Sequence, residues 1–231
     1  MKTLGIIGGI GPESTIDYYR QSIAIYREQV QDGSYPPIIV NSIDLKKIVD
    51  WMEADDLTSV AEYLVSEIRR LAQAGAEMGL LAANTPHVVF DEVVRRSPIP
   101  LVSIVEPTCE AAKRLRLSKV GLVGTRFTMQ GRFYPEVFSR NGIQLIVPQA
   151  DEQAHIHDKY MNELVRGTFL PETRQQLLAI VDRMMERDKI QGLILGGTEL
   201  PLILKDGIYR NIPFLDTTRI HVKAAITHLL V

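Results

Sequence analysis

Four short stretches of this chain gather side chains able to move a proton or hold a small polar ligand. In Ala83-Asn84-Thr85-Pro86-His87, the amide and hydroxyl offer donors and acceptors, and His87 titrates near neutrality and can serve as acid or base. A lone histidine beside a helix start reads equally as a cap or a surface residue. In Gly196-Gly197-Thr198-Glu199, a hydroxyl and a carboxylate follow two glycines, and Glu199 can also simply favour a helix dipole. In Gly124-Thr125-Arg126-Phe127-Thr128, two threonines flank Arg126, which can clamp a carboxylate with two parallel hydrogen bonds or lie solvated. The fourth stretch, Gly8-Gly9-Ile10-Gly11-Pro12-Glu13-Ser14-Thr15, places free backbone N–H groups where a helix opens. Such a terminus attracts a phosphate or carboxylate, with Ser14 or Thr15 capping it. Gly9-x-Gly11-x-x-Ser14 is also one residue short of a dinucleotide fingerprint, with Asp44 as its possible ribose ligand. The plain alternative is a tight strand-to-helix turn.

The remaining titratable groups narrow the chemistry. His155 and His157 stand two apart in DEQAHIHDKY, which on a helix puts them on different faces and makes a poor metal pair. With no other His-rich or Cys-rich cluster, no catalytic metal is expected. Cys109, the single cysteine, precludes an internal disulfide or a cysteine zinc cluster, and on a helix starting near Pro107 it reads as a small buried hydrophobe.

These residues need a folded frame, and composition supplies one. The 231 residues are 45% hydrophobic and 23% charged, the profile of a globular chain rather than a disordered one. A net charge of −2, with no dense basic window, argues against nucleic acid as a partner. The first apolar run is broken by four glycines and no stretch approaches a membrane span, so neither a signal peptide nor a membrane is expected and the cytoplasm is the expected location.

Strands are expected at residues 3–7, 37–43, 79–83, 101–105, 120–123, 144–147, 192–195 and 212–215. Their Val, Ile and Leu runs lack polar alternation, as in strands covered on both faces. Amphipathic helices lie between them. The clearest has Ser59 and Glu62 spaced as a capping box, an apolar face of Val60, Leu64, Ile68 and Leu71, and a stop at Gly75. Strand–helix alternation of this kind predicts an α/β fold with parallel strands. GIIGG at Gly5 and GLVGT at Gly121 lie 116 residues apart, and the Asn84-Thr85 and Gly197-Thr198 loops lie at nearly the same offset. The expectation is two pseudo-symmetric α/β domains, each a mainly parallel sheet flanked by helices, with an active-site cleft between them at the strand ends.

Taken together, GIIGGIGPEST, ANTPH, GTRFTM, GGTELP and IPFLDTTRIHV resemble the aspartate/glutamate racemase family along nearly the whole chain. The resemblance implies a homodimer that works without pyridoxal phosphate or metal and binds a small amino or dicarboxylic acid. It also implies that the closing strand and helix return to the first domain, giving residues 1–103 plus 213–231 and residues 104–212. Racemases of this family use two cysteines, one on each face of the substrate Cα. The positions matching those cysteines are here Ala83 and Gly197, neither of which carries a proton. Two-thiol racemisation is therefore expected to be lost, leaving His87, Glu13 or Glu199 as proton-exchanging candidates, with Glu106 at the end of the fourth strand as another. The likeness also places the 155–159 stretch where relatives hold the distal carboxylate, so His155 joins Ser14, Thr15, Asn84, Thr85, Thr125, Arg126, Thr128 and Thr198 as expected substrate contacts. Three functions follow: an enzyme with altered acid/base residues, a non-catalytic small-acid-binding descendant, or a dinucleotide-dependent enzyme.

Overall fold

The computed structural model describes residues 1–231, which divide into two compact units: residues 1–103 with 221–231, and residues 104–220. The first unit runs β1 (Leu4–Gly8), α1 (Pro12–Gln29), β2 (Ile38–Ser42), α2 (Leu45–Glu53), α3 (Leu57–Gln73), β3 (Met78–Leu81), a 3-10 turn (Thr85–Val89), α4 (Phe90–Arg96) and β4 (Leu101–Val102). Its four strands are all parallel, in the order β2-β1-β3-β4. Every residue of the inner strands β1 and β3 is buried, whereas the edge strand β2 exposes alternate positions. Leu4, Ile6, Tyr18, Ile25, Met78 and Leu80 form a core shared with Val222, Ala225, Ile226 and Leu229 near the end of the chain.

The second unit runs α5 (Val105–Arg114), β5 (Lys119–Gly124), α6 (Arg126–Gln130), α7 (Phe133–Arg140), β6 (Gln144–Ile146), α8 (Ala150–Asn162), α9 (Pro171–Asp188), β7 (Gly192–Gly196), α10 (Leu200–Ile203), β8 (Ile208–Tyr209), β9 (Ile212–Asp216) and the start of α11 (Thr217–Leu229). Its sheet order is β6-β5-β7-β9-β8, parallel except for the short β8, which the sequence did not announce. Leaving β8 aside, both sheets order their strands second, first, third, fourth. The repeat of GIIGG and GLVGT is thus a repeat of whole topology, since those segments form the first strand of each sheet.

All eight expected strands are present, and the structure corrects several details. The fourth strand stops at Val102, and α5 begins at Val105, so Glu106 lies exposed in a first helical turn rather than at a strand end. The helix carrying the Val60, Leu64, Ile68 and Leu71 face starts earlier than Ser59. Asp56 caps it, accepting the Ser59 N–H at 3.0 Å, because a carboxylate at the N-cap satisfies an orphan donor directly. Neither Ser14 nor Thr15 caps α1; Gly11 holds that place with Pro12 next, a residue with no N–H to leave unsatisfied. The domain boundary moves as well. The strand Ile212–Asp216 pairs with β7 in the second sheet, and residues join the first unit only from His221 onward. Apolar Phe214 and Leu215 have backbone partners there, which holds the strand in place. No helix is long and apolar enough to cross a membrane.

Candidate active site

In the first unit, the chain leaves β3 through Ala82-Ala83-Asn84 into the turn that carries His87. Asn84, Pro86 and His87 are all buried, so His87 is neither a surface residue nor an exposed cap. Its Nδ1 lies 3.0 Å from the Ala83 carbonyl. A carbonyl can only accept, so Nδ1 carries the hydrogen and Nε2 is the basic nitrogen. Phe90 stacks on one side of the ring at 4.5 Å, and His221 approaches edge-on at 6.1 Å. Burial, with the charge of His221 second, lowers the His87 pKa to about 3. His221 is fixed in the same manner: its Nε2 donates to the Val102 carbonyl at 2.9 Å, leaving Nδ1 to accept the Tyr18 hydroxyl at 2.9 Å. Burial lowers its pKa to about 4.

The glycine-rich loop of this unit is held by its own side chains. The Thr15 hydroxyl accepts the Gly9 N–H at 2.8 Å and donates to the Gly11 carbonyl at 3.0 Å. The Ser14 hydroxyl donates to the Ala82 carbonyl at 3.0 Å, tying α1 to the segment that leads into His87. Both expected ligand hydroxyls therefore position backbone. Asp44, the expected ribose ligand, caps α2 by accepting the Lys46 N–H. Glu13 is exposed in the first turn of α1.

The second unit gathers its polar side chains where β5 and β7 end. Thr125 caps α6, accepting the Thr128 N–H at 3.2 Å, and the two hydroxyls lie 3.2 Å apart in the interior. Arg126 is exposed, and its guanidinium lies over the Phe127 ring. Beyond β7, Thr198 and Glu199 are each 1% exposed. The Glu199 carboxylate accepts hydrogen bonds from the Thr198 hydroxyl at 3.2 Å and from the Tyr160 hydroxyl of α8. Burial of a carboxylate requires such donors, because its lost hydration must be replaced. The Tyr160 pKa is raised, by burial first and the neighbouring Glu199 charge second.

A sequence profile of Asp/Glu/hydantoin racemases matches residues 7–225. The chain belongs to the Asp/Glu/hydantoin racemase family. Its family relatives include the broad specificity amino-acid racemase RacX of Bacillus subtilis, 24% identical over 232 residues and 98% of each chain. Among solved structures, a candidate Asp/Glu racemase from Yersinia pestis is 31% identical with a TM-score of 0.86, both chains being covered in full. An aspartate racemase homologue from Pyrococcus horikoshii OT3 is 33% identical with a TM-score of 0.82, again over the full length of both.

Within this racemase-family frame, His87, Asn84 and Thr85 share one strand-end segment, and Thr125, Thr128, Thr198 and Glu199 share the ends of two adjacent strands. His155 does not join them. Its Nε2 bonds Gln176 of α9 at 3.0 Å, and it lines a surface groove with Asp151, Glu152 and Arg183. His157, two residues on and so on another face of α8, accepts the Arg126 N–H through Nδ1 at 3.2 Å. Sequence reasoning also missed Tyr160 and the Tyr18–His221 pair. Tyr160 lies 39 residues from Glu199, and Tyr18 lies 203 from His221, with no local pattern to join either pair.

Proposed function

We propose that the protein is an amino-acid racemase or isomerase of this family that acts at the Cα of a small amino or dicarboxylic acid, without pyridoxal phosphate and with proton transfer on side chains other than thiols. What carries this reading is the buried polar side chains at the two strand ends. Asn84 and His87 follow β3, and Thr198 and Glu199 follow β7, while Ala83 and Gly197 stand where the resemblance places thiols. Burying an imidazole and a carboxylate is costly, and such groups beyond central parallel strands are what proton transfer to a small ligand requires. Glu199 is suited to exchange a proton, and His87, held neutral by burial, offers a weak base at Nε2; Glu13 is the exposed alternative.

The deciding experiment incubates the protein with separate L- and D-amino acids in deuterated water and follows the Cα–H signal by NMR. Exchange that disappears in both His87→Gln and Glu199→Gln supports the reading. Exchange that survives both substitutions removes these residues from the mechanism. Absence of exchange with any amino acid favours a second reading, a small-acid-binding protein without turnover. The observation favouring it is that neither residue 83 nor residue 197 has a side chain able to carry a proton. That protein would gain thermal stability with an amino or dicarboxylic acid, as mass action requires. Light scattering on the eluted protein tests the homodimer that the family resemblance implies.

A further inference from the structure

Gly197 is a glycine for reasons of space. Its φ lies outside the left-handed region, so the backbone there would accept other residues. A Cβ at this position would stand 2.8 Å from the Tyr160 hydroxyl oxygen and 2.9 Å from the carbon that bears it. Carbon atoms do not approach that closely, so Tyr160 occupies the volume that a side chain at residue 197 would need. The ring comes from the last turn of α8, is buried, and belongs to the core with Ile156, Leu164 and Leu195. Its hydroxyl meets the Glu199 carboxylate two residues beyond Gly197, on the same oxygen that the Thr198 hydroxyl reaches. Three consecutive residues after β7 thus each have a stated part: Gly197 makes room, Thr198 donates, and Glu199 receives both donors.

We propose that Tyr160 is a positioning residue for Glu199, and that the pair replaces a side chain at residue 197 as the proton-exchanging group of the second unit. The proposal rests on the functional reading given above. In the step assigned to it, a Glu199 carboxylate oxygen takes the substrate's Cα proton. The C–H bond breaks, an O–H bond forms, and the electron pair stays on Cα, delocalised into the substrate carboxyl group. Return of a proton from Glu199 reverses the step, and no other reactant enters. Tyr160 acts by donating to the ionised form of Glu199, which favours the carboxylate over the acid.

The test compares wild type with Tyr160→Phe, which keeps the ring and removes the donor. Carboxyl carbons of glutamate are labelled with carbon-13 and titrated by NMR, and the Glu199 signal is identified by its absence in Glu199→Gln. In Tyr160→Phe the Glu199 titration is expected to move up by about one pH unit, since a donor to the charged form has gone. The acidic limb of the α-proton exchange profile should move up with it, while KM changes little. A Glu199 titration that stays in place overturns the positioning role. Should Tyr160→Phe fail to fold, Gly197→Ala provides the second variant: its Cβ displaces the Tyr160 hydroxyl, and the same upward shift is expected. If wild type exchanges no amino-acid proton at any pH, the functional reading fails and the proton-exchanging assignment falls with it. The carbon-13 titration then still decides whether Tyr160 governs Glu199.

Discussion

The rings of His87 and His221 lie 6.1 Å apart, edge to face, inside the first unit, and neither reaches solvent. Each is anchored through one ring nitrogen to a backbone carbonyl, and burial keeps each neutral near pH 7. Sequence separates them by more than half the chain, yet the core that joins the end of α11 to β1 and β3 makes them neighbours.

That arrangement predicts acid sensitivity. Burial, with the charge of His221 second for His87, lowers the two pKa values to about 3 and about 4, against 6.5 in the unfolded chain. Between these values the unfolded state binds more protons than the folded one, so stability rises with pH. The contribution is complete above pH 6.5 and is lost as pH falls toward 4, at up to about 1.4 kcal/mol per pH unit for each histidine. Urea unfolding at pH 7.5, 6 and 5 measures it. His87→Gln should remove about half of the slope; an unchanged slope would place the sensitivity elsewhere.

Cys109 should be chemically silent in the folded protein. It is buried on α5, and burial, with the charge of Glu110 second, raises its pKa. A thiol so placed is rarely ionised and cannot be reached. A colourimetric disulfide reagent at pH 8 should label it at least about a hundredfold more slowly in buffer than in guanidinium, since reaction waits on opening of the fold. Fast native labelling would contradict its burial.

Gly9 is required by backbone geometry. Its φ is +77°, and a Cβ there would lie 2.6 Å from the Ile43 nitrogen. Gly9→Ala combines left-handed strain with a clash against the backbone beyond β2, for a cost of about 2 kcal/mol or more. Thermal unfolding reads it directly, and a change below about 0.5 kcal/mol would show that the loop relaxes freely.

Thiols placed at residues 83 and 197 together should not make a two-thiol enzyme. A cysteine side chain in place of Gly197 would meet the Tyr160 ring, so Ala83→Cys/Gly197→Cys should unfold at lower temperature than Ala83→Cys alone and exchange α-protons no faster than wild type. Equal stability of the single and double variants would mean that the ring yields without cost.

Much of the fold was legible in the sequence because its determinants are local. Unbroken runs such as Gly5-Ile6-Ile7 and Leu193-Ile194-Leu195 must be strands covered on both faces, and the spacing of Val60, Leu64, Ile68 and Leu71 must be one helix face. The motifs GIIGGIGPEST, ANTPH, GTRFTM and GGTELP were enough to expect the family. The sequence also determined that residues 83 and 197 carry no proton, a matter of side-chain identity alone.

What packing places together was beyond it. Ser14, Thr15, Thr125 and Thr128 have hydroxyls fit for a ligand, yet whether a hydroxyl meets a ligand or a neighbouring backbone group depends on where the next element sits. His155 and His157 looked alike until α9 took one and the Arg126 N–H took the other. The meeting of Tyr160 with Gly197 and Glu199 joins residues nearly 40 positions apart, and only the packing of α8 over the end of β7 decides it. Strands and helices follow from forces between near neighbours in sequence, whereas a buried proton-holding pair exists only once separate elements have excluded water from around it.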